Sequence, residues 1–290
     1  MIKILKYLKL KFFWLTLERF PNLFRPGSIP YLSGDTLRNF SDHIFDEAKT
    51  FNPKLIKNGD VIFVNSEIVE IFFTTIHEKI ESKYILITHN SDFCVNKKIA
   101  SYADKKIIHW FAQNLETEPN KNISFIPIGL ENRRRLKFGR KKWFKSIVPD
   151  KSASILLSFN EYNNFSERSG IKEVLNENPN IDSIKFDNTD DYFRNLAKYK
   201  FVICPEGNGP DTHRTWEALL LKTVPIFKIS KFTKNLNNFK IPGIYLNNWE
   251  ELNKISNKEL DEIYTEINKE NIAKYSYFSF WRNIIKKTKN

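Results

Sequence analysis

The chain has 290 residues, a formal net charge of +12 and 41% apolar residues. It is long enough for one large or two ordinary domains, and its 28% charged residues exclude a disordered or fibrous chain. No apolar run approaches the length of about 18 that a spanning helix needs. The two cysteines, Cys94 and Cys204, form no ligand pattern, which argues against a disulfide framework and for a reducing cytoplasm.

The basic excess favours an anionic partner and is partly local. Among the first twenty residues, Ile4, Leu5, Leu8, Phe12 and Leu15 recur at helical spacing, with Lys3, Lys6 and Lys9 largely off that face. No small-residue cleavage site follows, so this is not a secretory signal. The pattern predicts a basic amphipathic helix, which either packs on its own domain or lies on an anionic membrane. A second cluster, Arg133 to Lys145 (RRRLKFGRKKWFK), reads as an inter-domain linker or as part of the same membrane surface.

Short apolar runs then alternate with helical stretches, which predicts α/β layering. Strands are expected at Asp60–Ser66, Tyr84–Thr88, Lys106–Phe111 and Ile123–Ile128, with a helix at about Glu67–Glu81. A second unit starts at Ser154–Phe159 and continues with strands at Asp182–Phe186, Phe201–Cys204 and Val224–Phe227. Helices fall between them at about Ser166–Asn176, Thr189–Tyr199 and His213–Lys222, and two more close the chain, broken near Asn271. Short βα steps of this kind build doubly wound sheets, whose ligands bind beyond the carboxyl ends of the strands.

The most informative segment is Phe201–Lys228, FVICPEGNGPDTHRTWEALLLKTVPIFK. A buried strand enters a Gly- and Pro-rich loop, and that loop feeds a helix whose first turn carries His213, Arg214 and Glu217. Free N–H groups at such a helix start suit phosphates, and a guanidinium adds a bidentate contact. Glu217, one turn on, suits the hydroxyls of a ribose. The chain has no Walker A lysine pattern and no Gly-x-Gly-x-x-Gly, so neither a P-loop enzyme nor a nicotinamide enzyme fits. Asn160 closes the strand Ser154–Phe159, and Arg168 in the next helix supplies a second cation.

In the first unit, Thr88-His89-Asn90-Ser91-Asp92 follows a strand directly. Asp92 and His89 are candidate general bases in that loop, its other use being an Asx turn or helix cap. Gln113, Asn114, Gly129 and Glu131 stand at further strand ends without an assigned role.

Cys204, Pro205, Gly207, Arg214, Glu217, Val224, Pro225 and Ile226 resemble the C-terminal half of the exostosin-like glycosyltransferases. The resemblance implies a GT-B fold: two Rossmann-like domains facing a cleft, here with a C-terminal helical extension. It implies an acceptor-side domain at 1–145, a nucleotide-sugar domain at 150–265, and a helix at 266–290 packing back on the first. It further implies inverting transfer from a nucleotide sugar, with a UDP-sugar favoured, to a glycan or lipid-linked glycan, and no cofactor or obligatory metal. The absence of Asp-x-Asp agrees with the last point. The expected donor contacts are Asn160, Arg168, Pro205, Glu206, Gly207, Asn208, Gly209, Asp211, His213, Arg214 and Glu217. A cytoplasmic enzyme, peripheral on the membrane through 1–20 and 133–145, follows from that reading. A fucosyltransferase-like enzyme using a GDP-sugar is the alternative, although its Thr-Glu-Lys signature is missing. A phosphorylase or epimerase, or a non-enzymatic nucleic-acid binder, completes the range; no nucleic-acid motif supports the last, and no nucleic-acid partner is expected.

Overall fold

A computed structural model describes residues 25–119, 121–135, 138–139 and 141–289. The helix predicted at 1–20 lies outside the described residues. Two five-stranded sheets make up the frame, and every strand pair in both is parallel. The first contains β1 (His43–Phe45), β2 (Asp60–Asn65), β3 (Tyr84–His89), β4 (Ile107–Ala112) and β5 (Ile123–Phe125), in consecutive order. The second contains β6 (Ala153–Leu157), β7 (Ile181–Ser183), β8 (Tyr199–Ile203), β9 (Val224–Lys228) and β10 (Ile244–Leu246), in the order β10-β9-β8-β6-β7. The fold is therefore α/β with two Rossmann-like halves about a cleft and a helical extension.

The central strands follow from composition. All six residues of β3 (YILITH) are buried, as expected where helices cover both faces of a parallel sheet. The edge strands β1 and β10 escape the sequence pattern, because three residues, mostly half-buried, carry no period to read. The helix expected at 166–176 is two short ones, Phe165–Arg168 and Ile171–Leu175. Gly170 breaks it with φ +79°, a left-handed conformation that interrupts the helical ladder. The helix expected at 67–81 shortens to Val69–Thr75 between two 3-10 turns.

Strand order places the site. From β6 the chain crosses to β7 on one side and then returns to β8 on the other. Connections leaving in opposite directions open a crevice beyond the carboxyl ends of β6 and β8, a topological switch point.

Two segments tie the halves. The stretch expected as a linker is anchored through Trp143, which stacks on Phe193 at 4.6 Å and donates its indole N–H to Asp190 at 2.6 Å. Its basic residues are partly engaged within the protein: Lys141 donates to the Ile29 carbonyl at 2.6 Å, and Lys142 pairs with Asp190 at 3.4 Å. At the C-terminus, helices Asn257–Ile267 and Phe278–Lys287 flank a 3-10 turn, with the expected break at 268–271. The Ser276 carbonyl accepts from Leu32 N at 2.9 Å, while the Ser276 hydroxyl donates to the Trp216 carbonyl at 2.8 Å. Trp281, fully buried, packs on Phe125 of the first half and Phe239 of the second. No helix among the described residues is long and apolar enough to cross a membrane.

Candidate active site

A cleft of about 1670 Å³ lies between the two halves. Loops after β3 and β5 form one wall, and loops after β6, β7 and β8 with the helix His213–Leu220 form the other. Of the residues expected from sequence, His89, Asp92, Asn160, Arg168, Gly207, Asn208, Gly209, Asp211, His213, Arg214 and Glu217 line it. Pro205 and Glu206 do not. Pro205 is buried in the strand-to-loop turn, and the Glu206 side chain turns toward Ser230 and Lys228 on the far side of its loop.

Arg168 is buried and works first as a brace. Its Nε donates to the Glu206 carbonyl and its Nη1 to the Asn160 carbonyl, both at 2.7 Å, clipping the loops after β6 and β8 together. Gly207 permits this, since a Cβ there would lie 3.0 Å from Arg168 Nη2. No carboxylate pairs with Arg168 within 4 Å among the described residues. Burial, with the charge of Arg214 added, pulls its pKa down to about 10. Arg214 also lacks an ion pair among the described residues, and it stands beside Tyr192 and Glu217, with its buried Nε unpartnered. Two guanidiniums thus face the switch point with fixed positive charge. The Asn160 amide oxygen is engaged in its own turn, accepting from Tyr162 N at 3.1 Å.

The helix carrying Arg214 starts at Thr212, whose side chain makes no cap. In the first turn Thr215 N is taken by the Thr212 carbonyl at 3.2 Å and Thr212 N by the Asp211 carboxylate, so the positive potential the helix adds to the cleft comes from its start at His213 and Arg214. Burial, opposed by His213 and Arg214, pushes the Glu217 pKa up to about 7.

Asp211 has a different task from the expected donor contact. One carboxylate oxygen accepts from Ile128 N at 2.7 Å and the other from Trp216 Nε1 at 2.9 Å. Its own amide donates to Asn114 Oδ1 at 3.1 Å, so the residue bolts the two halves together. Asn114 takes φ +52°, and Gly209 is pressed against it: a Cβ on Gly209 would meet Asn114 Nδ2 at 2.9 Å.

On the opposite wall His89 is 1% exposed with both ring nitrogens used. Nε2 lies 3.0 Å from the Pro127 carbonyl, and Nδ1 accepts from Asn90 N at 2.7 Å, which assigns the proton to Nε2. Burial pulls its pKa down to about 4. The ring is a neutral strut, with no lone pair left for an acceptor proton. Asp92 is exposed to the cleft, and its carboxylate has no ion pair among the described residues.

Sequence reasoning missed a buried polar set behind this wall. Asn90, at φ +67°, donates to Asp35 Oδ1 at 3.3 Å and accepts from Asn132 Nδ2 at 2.9 Å. It also missed Tyr192 and the loop 183–189, which line the cleft after β7. The strand-end rule applied to Ser158 and Asn160 would have found that loop had it been extended to the next strand.

No protein-family model matches the chain, and no curated protein matches it. Three similar solved structures are the GtfA/B complex, TarM and a glycosyltransferase from Rickettsia africae ESF-5. Identities are 13%, 13% and 11%, with TM-scores of 0.43, 0.46 and 0.45. The matches cover 81%, 81% and 79% of this chain, and 58%, 56% and 76% of theirs. The chain thus spans less than two thirds of the first two.

Proposed function

We propose that the protein is an exostosin-like, inverting glycosyltransferase that takes a sugar from a nucleotide sugar and passes it to a glycan or lipid-linked glycan. The observation that carries this reading is the pair Arg168 and Arg214, two guanidiniums without a carboxylate partner among the described residues, at the switch point of the second sheet. Like charges held close enough to perturb one another in a cleft call for an anion, and a nucleoside diphosphate supplies two phosphates for two guanidiniums.

On this reading Arg214 and the first turn of its helix hold the departing diphosphate. Arg168 shapes the loops around it and lends its charge. Glu217, one turn along, takes the ribose hydroxyls. Asp92 removes the acceptor hydroxyl proton as the oxygen attacks the anomeric carbon from the face opposite the leaving group. His89 supports that loop in place of sharing the base role. The UDP preference, and docking on an anionic membrane through 1–20 and 133–145, belong to the same proposal.

A thermal-shift screen of UDP-, GDP-, CMP- and dTDP-sugars tests it. A true donor at a hundred times its dissociation constant stabilises the fold by about 2.7 kcal/mol. Arg214→Ala should cut the shift at that concentration to half or less. Shifts from no nucleotide sugar would reject the proposal, and a shift from GDP-sugars alone would move it to the fucosyltransferase-like reading.

A further inference from the structure

Glu131 leaves the loop after β5 in the first half, and His213 opens a helix of the second. His213 Nδ1–H donates to the Gly129 carbonyl at 2.7 Å. Its Nε2 stands 3.6 Å from Glu131 Oε2. The other Glu131 oxygen accepts from Asn132 N at 2.8 Å, which fixes the carboxylate in place. An imidazole with a carbonyl at one nitrogen and a carboxylate at the other is best satisfied with protons on both.

The groups facing His213 are few. Glu131 and the neutral His89 face it from the first half, and Asp211 and Glu217 from its own loop and helix. Burial works against a charge on the ring, but the three carboxylates and the Gly129 carbonyl outweigh it and raise its pKa. Both His213 and Glu131 keep part of their surface in the cleft.

We propose that Glu131 is a positioning residue that holds His213 as an imidazolium across the cleft, making it a third cation at the anion site of Arg168 and Arg214. This rests on the diphosphate reading above for its last part only. Because the carboxylate and carbonyl come from one half and the imidazole from the other, the third cation exists only when the halves meet as they do here. The protein would then bind a diphosphate most tightly in that arrangement, and less tightly as pH rises through the His213 pKa.

The test uses the full chain with ¹³C-labelled histidine, with His213→Asn to identify the resonance and pyrophosphate as the probe. In Glu131→Gln the His213 midpoint should fall by about one pH unit, and pyrophosphate binding should weaken up to about tenfold at pH 7.5. At a pH well below both measured midpoints, where the ring keeps its charge without Glu131, the variant should bind at least as tightly as the parent, because it also lacks the Glu131 negative charge. Glu131→Asp should restore much of the midpoint, and it serves as the readout should the amide variant fail to fold. An unmoved His213 midpoint, or an affinity loss equal at both pH values, would overturn the positioning role. A moved midpoint with no pyrophosphate binding in any variant, the parent included, would keep the Glu131–His213 coupling and overturn the diphosphate reading instead.

Discussion

The Asp211 carboxylate accepts the Ile128 amide at 2.7 Å, across 83 residues of chain and from one half of the molecule to the other. Its second oxygen holds the indole of Trp216, so one buried side chain sets the position of the donor-side helix against the acceptor-side loops. Its pKa is pushed up to about 7 by burial, against the hydrogen bonds it accepts. Replacing it tests packing first, because both of its oxygens are taken by N–H donors, Ile128 N and Trp216 Nε1. Asp211→Asn sets an amide N–H₂ against one of two N–H donors and should cost about 1–3 kcal/mol, measured by urea unfolding. Unchanged stability would show that the bolt is not needed.

Glu217 gives a pH dependence with a definite sign. A carboxyl whose folded pKa is raised to about 7 holds its proton in the folded state where the unfolded chain, near 4.3, has lost it. The folded state then binds more protons, and this contribution to stability falls as pH rises from about 4 to about 7. Glu217→Gln should remove that contribution, on the order of 3 kcal/mol, and flatten the slope over this window. Melting curves at pH 5 and pH 8 check it; an equal slope in parent and variant would reject it. The same substitution should weaken binding of the ribose-bearing donor.

Arg168 and Arg214 should part company on substitution. Arg168→Ala frees two carbonyls from charged donors at 2.7 Å and should destabilise by roughly 3 kcal/mol. Arg214→Ala leaves no ion pair broken among the described residues, so its loss should appear in nucleotide affinity, at roughly 1.5–3 kcal/mol, with the melting temperature near parental. Calorimetric melts beside UDP titrations would distinguish the two. Equal destabilisation would mean that Arg214 is also a brace.

Asp92→Asn should leave stability and donor affinity near parental while turnover is lost, because the base acts on the acceptor. Single-turnover transfer with saturating donor is the measurement. An active Asp92→Asn protein would remove this loop from the chemistry, since His89 has no free nitrogen to replace it.

Gly34 lines the cleft where a Cβ would sit 1.7 Å from Asn90 Oδ1 and 2.6 Å from His89 Nδ1. Gly34→Ala should displace Asn90 from both Asp35 and Asn132 and cost about 1–3 kcal/mol. Backbone on that side cannot give easily, because Asp35 N is itself held by Asn132 Oδ1 at 2.7 Å. A parental melting temperature would count against the close contact.

What the amino-acid sequence determined by itself is local. Runs such as YILIT and FVI read as buried strands because they are short, rich in β-branched and aromatic residues and bounded by turn residues, and the Gly-Asn-Gly-Pro stretch is a loop because its residues break helix and strand alike. With the strand-end rule, those features also placed most of the cleft residues. The strand order, and the roles of buried polar groups, were decided only by the tertiary structure. Nothing within a few residues of Asp211, His89 or Glu206 says that the first would bind Ile128 N, the second the Pro127 carbonyl, or that the third would turn to Ser230. A polar side chain carries the need for a partner in its chemistry, but distant chain brought beside it by core packing determines which partner meets that need. Arg168 shows both at once: its charge is legible in the sequence, while the two carbonyls that make it a brace come together only where β6 and β8 lie side by side.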